Sequence, residues 1–179
     1  IKGLPKKPLS ANDVKPLAYF GVDTAELRQQ TANYYNCMSR LDTLIGDLLE
    51  GLNESGKRKN TLIIYMGDHG ADLLRGKRTS YEGGVRVPLL VQWPGMKGFG
   101  KSVRSELVST LDLMPTILSA AKTVPPAGLA GKSLIPMLQG RVKEWRKHLF
   151  TEFHLHSAHN FYPQRSIRGE RFKLIQNLQ

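Results

Sequence analysis

The chain of 179 residues has one cysteine, Cys37. That excludes an internal disulfide framework and a zinc cluster built on thiolates. No apolar run approaches the ~18 residues that a membrane-crossing helix needs. The first residues are polar, basic and proline-rich, so no secretory leader is legible there. Internal repeats and low-complexity segments are absent as well. Acidic residues are scarce: 15 Asp and Glu face 26 Lys and Arg, a formal net charge of +11. Such an excess favours anionic partners, whether nucleic acid, acidic lipid, or an anionic small molecule or polysaccharide. A solvated basic surface fits the charge equally well. The basic residues are dispersed, and the densest clusters, Lys6-Lys7 and Lys57-Arg58-Lys59, fall in expected loops. What is present is ordinary for a globular protein: 40% hydrophobic residues, 17 Gly and 10 Pro. This balance excludes collagen, coiled coil and full disorder, and the length suits one core. The chain starts at Ile1 rather than Met and stops in a strand-like run, so a piece of a longer protein is expected. The missing targeting signal then says nothing about location.

The patterning predicts an α/β body followed by a small antiparallel sheet. Residues 1–22, with Pro5, Pro8 and Pro16, read as an extended lead-in lying over a larger body. Asp23 and Glu26 form a capping-box-like start. Behind them Leu27, Thr31, Tyr34, Met38, Leu41, Ile45, Leu48 and Leu52 alternate spacings of four and three, one face of a helix over roughly 24–53. Thr61 to Met66 is an apolar run read as a central parallel strand buried on both faces. Residues 71–84 form a loop, and 85–91 a second strand that Pro88 places near an edge or bulge. Residues 103–108 are a weaker strand. A helix over 110–121 starts its regular part near Pro115, because proline suits a first turn. One helical turn is expected at 134–138. Three β-like runs follow at 148–153, 161–168 and 171–178. The division is a body over 1–145 and a small antiparallel unit over 146–179.

The chemistry concentrates between Thr61 and Gly95. An apolar strand delivers Asp68 and His69 at its C-terminal end, where open α/β sheets bind ligands. A carboxylate beside an imidazole on a sharp turn suits a divalent cation: oxygen favours calcium or magnesium, and imidazole broadens the choice. An Asp-Gly turn with a surface histidine is the plain alternative. Lys77 follows between Gly76 and Arg78, a compact positive charge that small neighbours leave approachable. A metal and an ammonium near one anionic group is how transferring phosphoryl or sulfuryl groups are stabilised. The plain alternative is a solvated loop lysine. Tyr81-Glu82-Gly83-Gly84-Val85-Arg86 sets glycines where unusual φ or close backbone contact is expected. Glu82 is a candidate to orient Arg86 or Lys77, or to serve in a structural pair.

His154, His156 and His159 lie at the changeover to the last sheet. No carboxylate or cysteine completes a metal set with them. Substrate contact and a polar loop are the two readings that remain. Arg165 and Arg168 are either contacts for a sulfated sugar or solvated charges on an edge strand. Cys37 lies mid-helix in Cys-Met-Ser-Arg and reads as a helix-flank residue of the small, buried kind.

The ordered series Asp-His-Gly, Gly-Lys, Tyr-Glu-Gly-Gly-Val-Arg-x-Pro and Trp-Pro-Gly, between Leu62 and Gly95, resembles the sulfatase family of the alkaline-phosphatase-like superfamily. The resemblance extends to the helix with Tyr34-Tyr35 and Leu41-Asp42, to Asp112-Leu113-Met114-Pro115-Thr116, and to the end. There Tyr162-Pro163-x-Arg165-Ser166-Ile167-Arg168 and Lys173-Leu174-Ile175 are similar to bacterial heparan N-sulfatase-like proteins (N-sulphoglucosamine sulphohydrolases). The resemblance implies the alkaline-phosphatase-like sulfatase fold, of which this is the C-terminal part. It implies Asp68 and His69 as metal ligands, usually for calcium, and Lys77 as the residue that contacts the sulfate and helps the leaving oxygen depart. His154, His156 and Arg165 are then candidates for substrate binding. The implied nucleophile is a formylglycine made in a Cys/Ser-x-Pro-x-Arg motif near the N-terminus. This chain lacks that motif, and Cys37-Met38-Ser39-Arg40 has no proline and the wrong spacing. Inactivity of this piece alone is expected. The implied substrate is a sulfate ester or N-sulfate of an anionic, glycosaminoglycan-like sugar. The implied compartment is periplasmic or secreted. A phosphodiesterase or phosphonate hydrolase of the same superfamily is the first alternative. A basic module for polyanions is the second, but it predicts clustered Lys/Arg with exposed aromatics rather than aromatics in periodic apolar positions. No nucleic-acid or membrane partner is expected.

Overall fold

The structure is a computed structural model that describes residues 2–98, 100–156 and 161–178. Its longest element is a helix, α1, over Ala25–Glu54, 30 residues. The cap sits one residue later than the capping-box reading. Thr24 is the N-cap, its hydroxyl accepting from the Leu27 N–H at 3.2 Å. Asp23 instead pairs with Arg28 at 2.6 Å. The lead-in lies along this helix as expected. Asn36 exchanges two bonds with the Leu9 backbone, and Lys2 pairs with Asp47 at 2.7 Å.

The apolar stripe of α1 is covered only in part. Thr31 and Ala32 are buried, but Leu48 is 73% exposed. Between the helix and the first sheet runs an apolar groove of about 480 Å³, lined by Met38, Leu41, Ile45 and Leu49 with Ile63, Tyr65 and Leu90. Cys37 lies on α1 as read, but it is exposed and not buried.

Strand β1 (Ile63–Met66) pairs with β2 (Leu89–Gln92), from Ile63 opposite Gln92 to Met66 opposite Leu89. The pair is antiparallel, and all four residues of β1 are half-buried. This corrects the expectation of a parallel strand covered on both faces. A short apolar run carries no information about its neighbour's direction, and here the neighbour is the chain's own return. The second strand also begins later than read. Residues Glu82–Val85 form one helical turn, α2, because the Gly84 and Val85 amides both donate to the Tyr81 carbonyl. Pro88, without an N–H, holds the strand off until Leu89. Residues 103–108 form no strand. Arg104 and Trp145 side chains tie this stretch instead, to the Met137 and Leu107 carbonyls, and Val103 is 99% exposed.

A 3₁₀ turn at Thr110–Asp112 opens helix α3 (Leu113–Ala120), which carries Pro115 in its first turn. A four-residue helix α4 (Ile135–Leu138) follows at the expected place. Asp112 joins them and is fully buried. Its carboxylate accepts the Ser109 and Lys132 amides at 2.8 Å each and both Arg146 terminal nitrogens at 2.5 and 2.6 Å. The C-terminal sheet has the order β3-β4-β5, with β3 at Leu149–Leu155, β4 at Phe161–Arg168 and β5 at Lys173–Asn177, all antiparallel.

Burial pushes the Asp112 carboxyl up, but the Arg146 guanidinium and the two amides outweigh it and hold the group below the usual carboxylate range. The stabilisation is therefore full above that range and is lost as pH falls through the lowered folded-state value. Arg146→Met strips the charged partner from a buried carboxylate and should cost about 3–5 kcal/mol at neutral pH. Urea unfolding of the complete polypeptide checks this. The deficit should shrink in acid, where the carboxylate of the parent is itself neutralised.

Candidate active site

β1 ends at Met66, and Gly67 continues the ladder by donating to the Pro88 carbonyl at 3.2 Å. Asp68 and His69 stand on the turn that follows. The Asp68 carboxylate folds back toward its neighbour: Oδ1 accepts the His69 N–H at 2.9 Å, and Oδ2 lies 3.4 Å from His69 Nε2. The other ring nitrogen, Nδ1, is 2.8 Å from the Gly70 carbonyl. A carbonyl only accepts, so Nδ1 carries the proton. In the neutral ring Nε2 then presents a lone pair toward a carboxylate oxygen. Two acceptors face one another across 3.4 Å, an arrangement that a cation between them relieves. The spacing suits one ion, since donors each about 2.4 Å from a cation at right angles are about 3.4 Å apart. Both side chains are open to solvent, 86% for Asp68 and 43% for His69. Two donors fall short of the roughly 6–8 that calcium takes. Among the described residues no group of three or more His, Cys, Asp or Glu supplies the rest.

The chain then folds back on itself. The Gly70 N–H donates to the Gly84 carbonyl at 2.9 Å, and the Lys77 N–H to the Ala71 carbonyl at 2.7 Å. The main chain of Lys77 is thus tied to a residue just beyond His69. A Cβ on Gly70 would stand 1.7 Å from the Gly83 carbonyl oxygen, and one on Gly84 2.3 Å from that of Thr79. The glycines serve close approach and not unusual φ. The left-handed residues are Arg75 and Arg78, at φ 57° and 72°, flanking Gly76 and Lys77. Such a conformation costs a non-glycine residue about 1–2 kcal/mol, so neighbours must hold it.

Arg78 forms an ion pair with Asp72. Arg75 donates to the Tyr19 carbonyl at 3.0 Å and lies over the Tyr81 ring. The Asp72 carboxyl is held below its usual range, first by the Arg78 hydrogen bond and further by the charges of Arg78, Lys77 and His156. Lys77 is half-buried, and its ammonium has no hydrogen bond or ion pair among the described residues. Among the described residues it is an unpaired cation whose charge also acts on Asp72, a carboxylate already paired with Arg78.

The other candidates separate. His156 lies near the Asp72–Lys77 loop, close enough for its charge to act on Asp72. His154 and Arg165 stand together on the exposed side of β3 and β4, both near Glu152, at 3.4 and 3.6 Å. His159 lies outside the described residues. Glu82 orients neither Arg86 nor Lys77. It pairs with Lys173 at 3.2 Å and Arg168 at 3.5 Å. Sequence reasoning passed over Asp72, and an acid six positions before an arginine in a glycine-bounded loop is the signal it left.

A family model described as Sulfatase matches residues 7–123. The chain is 31% identical over 152 residues to a multifunctional alkaline phosphatase superfamily protein of Trinickia caryophylli, covering 82% of this chain and 30% of that one. It is 31% identical over 172 residues to the human N-sulphoglucosamine sulphohydrolase, covering 89% and 33%. Among solved structures, a phosphonate monoester hydrolase from Silicibacter pomeroyi superposes with a TM-score of 0.74 at 28% identity, covering 87% of this chain and 34% of its own. The chain spans about a third of the length of these relatives.

Replacing Gly70 with alanine would drive a methyl group into the backbone at Gly83, which cannot yield as a flexible side chain does. Gly70→Ala should therefore destabilise the complete polypeptide by about 2 kcal/mol. Thermal unfolding gives the cost. Gly46→Ala, on α1 with nothing within 4 Å, should not lower the midpoint and serves as the control.

Proposed function

The chain belongs to the sulfatase family, and on that premise we propose that it supplies part of a metal-dependent hydrolase site for sulfate esters or N-sulfates of an anionic sugar. The observation that carries the reading is the self-crossing loop. It ties the main chain of Lys77 to Ala71, directly after the Asp68–His69 turn, and leaves the ammonium without a partner among the described residues. The net charge of +11 suits a polyanionic substrate.

In this reading Asp68 Oδ2 and His69 Nε2 hold a calcium or magnesium ion, with the remaining ligands drawn from elsewhere in the polypeptide. When bound, that ion would offset negative charge on the sulfuryl oxygens. Lys77 lies toward the leaving oxygen and stabilises the charge that grows there as the S–O or S–N bond lengthens. The Gly70 carbonyl fixes the His69 tautomer, so that Nε2 keeps its lone pair outward. His156, whose charge acts on Asp72 of the same loop, is the residue we assign to the sugar. His154 and Arg165 lie on another side of the sheet, and Glu152 offsets their charge. The nucleophile, a formylglycine, comes from a part of the polypeptide outside this chain, so the chain alone is inactive.

The likeness to the phosphonate monoester hydrolase keeps phosphorus esters as the second reading. Turnover of 4-nitrophenyl sulfate, 4-nitrophenyl phosphate and a phenylphosphonate monoester by the complete polypeptide separates the two. Sulfate should be preferred, and preference for either phosphorus ester would reassign the substrate. Lys77→Ala should lower turnover by about 10²–10³-fold with an unchanged unfolding midpoint. A rate equal to the parent's would remove Lys77 from the site. Asp68→Asn should weaken calcium binding by about tenfold or more in calorimetric titration, a readout independent of substrate. Undiminished affinity would show that the carboxylate is no ligand.

A further inference from the structure

The loop that carries Lys77 cannot hold its shape alone, since it includes two left-handed arginines. Its other supports come from far along the chain. The Tyr162 hydroxyl on β4 donates to the main-chain carbonyl of Arg78 at 2.8 Å, directly after Lys77 and at one of the left-handed residues. Two positions along the strand and on the same side of the sheet, Gln164 Oε1 accepts the Ser80 N–H at 3.3 Å. Gln164 is itself oriented across the sheet, its amide donating to Asn177 on β5 at 2.9 Å. That bond fixes which end of the amide faces Ser80. Phe153 of β3 stacks against Tyr162 at 5.1 Å and holds the ring. Lys173 and Arg168 then grip Glu82 at the loop's far end.

We infer that β4 of the C-terminal sheet is the positioning element for the active-site lysine, with Tyr162 as its principal positioning residue and Gln164 as its second. Both act through the main chain on either side of Thr79, and so on where the Lys77 ammonium stands. The inference rests on the proposed role of Lys77 and goes beyond it, because it gives the C-terminal sheet a part in turnover.

The test is a double-mutant cycle in the complete polypeptide, using whichever of the sulfate, phosphate and phosphonate esters the parent turns over. Tyr162→Phe removes one oxygen and keeps the ring against Phe153. It should lower kcat about tenfold with little change in KM, because the lysine acts on charge that develops only in the transition state. In a Lys77→Ala background the same change should have no further effect, since nothing is left to position. Gln164→Met should behave alike to a smaller degree. Thr151→Val deletes a hydrogen bond to Ser166 within the same sheet, 2.6 Å long, whose two side chains bond no loop residue among the described residues, and should leave kcat at the parent value. An equal loss from Tyr162→Phe with and without Lys77, or no loss in either, overturns the inference while leaving the lysine's role intact. A neutral Lys77→Ala overturns the underlying reading instead, and the two failures are told apart by that single variant.

Discussion

The contact on which the site depends is the backbone crossing at Gly70. The Gly70 amide meets the Gly84 carbonyl while its α-carbon lies against Gly83, at a separation no side chain would permit. Everything between those points is forced into a closed loop at the tip of an antiparallel strand pair. Asp68 and His69 sit just before the crossing and Lys77 within the loop. The bond from the Lys77 amide to the Ala71 carbonyl brings their main chains toward one another by chain geometry alone. The close approach explains why Gly70, Gly83 and Gly84 stand at the crossing although none of them has a positive φ. The left-handed turns that glycine would adopt freely have been given to Arg75 and Arg78, whose side chains then serve as anchors to Tyr19 and Asp72.

A loop closed by glycines at its base remains free at its crown unless something else grips it. The grip comes from the C-terminal sheet, through one hydroxyl, one amide and one ammonium. All three bonds go to main chain or to Glu82, and among the described residues none of them occupies the Lys77 ammonium. Spending charge elsewhere is equally informative. Asp72 is occupied by Arg78, and Glu82 by Lys173 and Arg168. Had either acid been free, it would have competed with an anionic substrate for the lysine.

Local order was legible in the sequence where periodicity was long or punctuation strong. The four-and-three spacing from Leu27 to Leu52 located α1 to within a residue or two, and Pro115 marked the first turn of α3. The three strands at the end were found because alternation and turn residues bounded each one. What failed was direction and pairing. Thr61 to Met66 reads the same whether its neighbour runs parallel or antiparallel, and burial on two faces cannot be inferred from apolarity alone. The 103–108 run has strand-like residues but no strand beside it, so its backbone is held by Arg104 and Trp145 instead. In the site, the motif residues were visible because their types announce chemistry. Tyr162 and Gln164 were not, since their partners are main-chain atoms distant in sequence, and such partners leave no pattern.

The exposed surface bears on how much of a working site is present. The chain exposes 12923 Å², against about 8,700 Å² for a compact monomer of this length. The excess is apolar in character at Leu48 on α1, at Leu90 on β2 and at Met114 and Ile117 on α3, all on regular elements whose spacing prepares them for burial. Solvent exposure of Asp68 belongs to the same pattern. A carboxylate in water gains little from a cation, because water screens the pair and competes for the ion. Covered by protein, the same carboxylate and imidazole would face a lower dielectric, in which two opposed acceptors are costly and a cation between them is strongly favoured. As the cation site proposed here, the Asp68–His69 pair would therefore gain its affinity from being enclosed. The proposed dependence on the rest of the polypeptide follows from electrostatics as much as from the count of ligands.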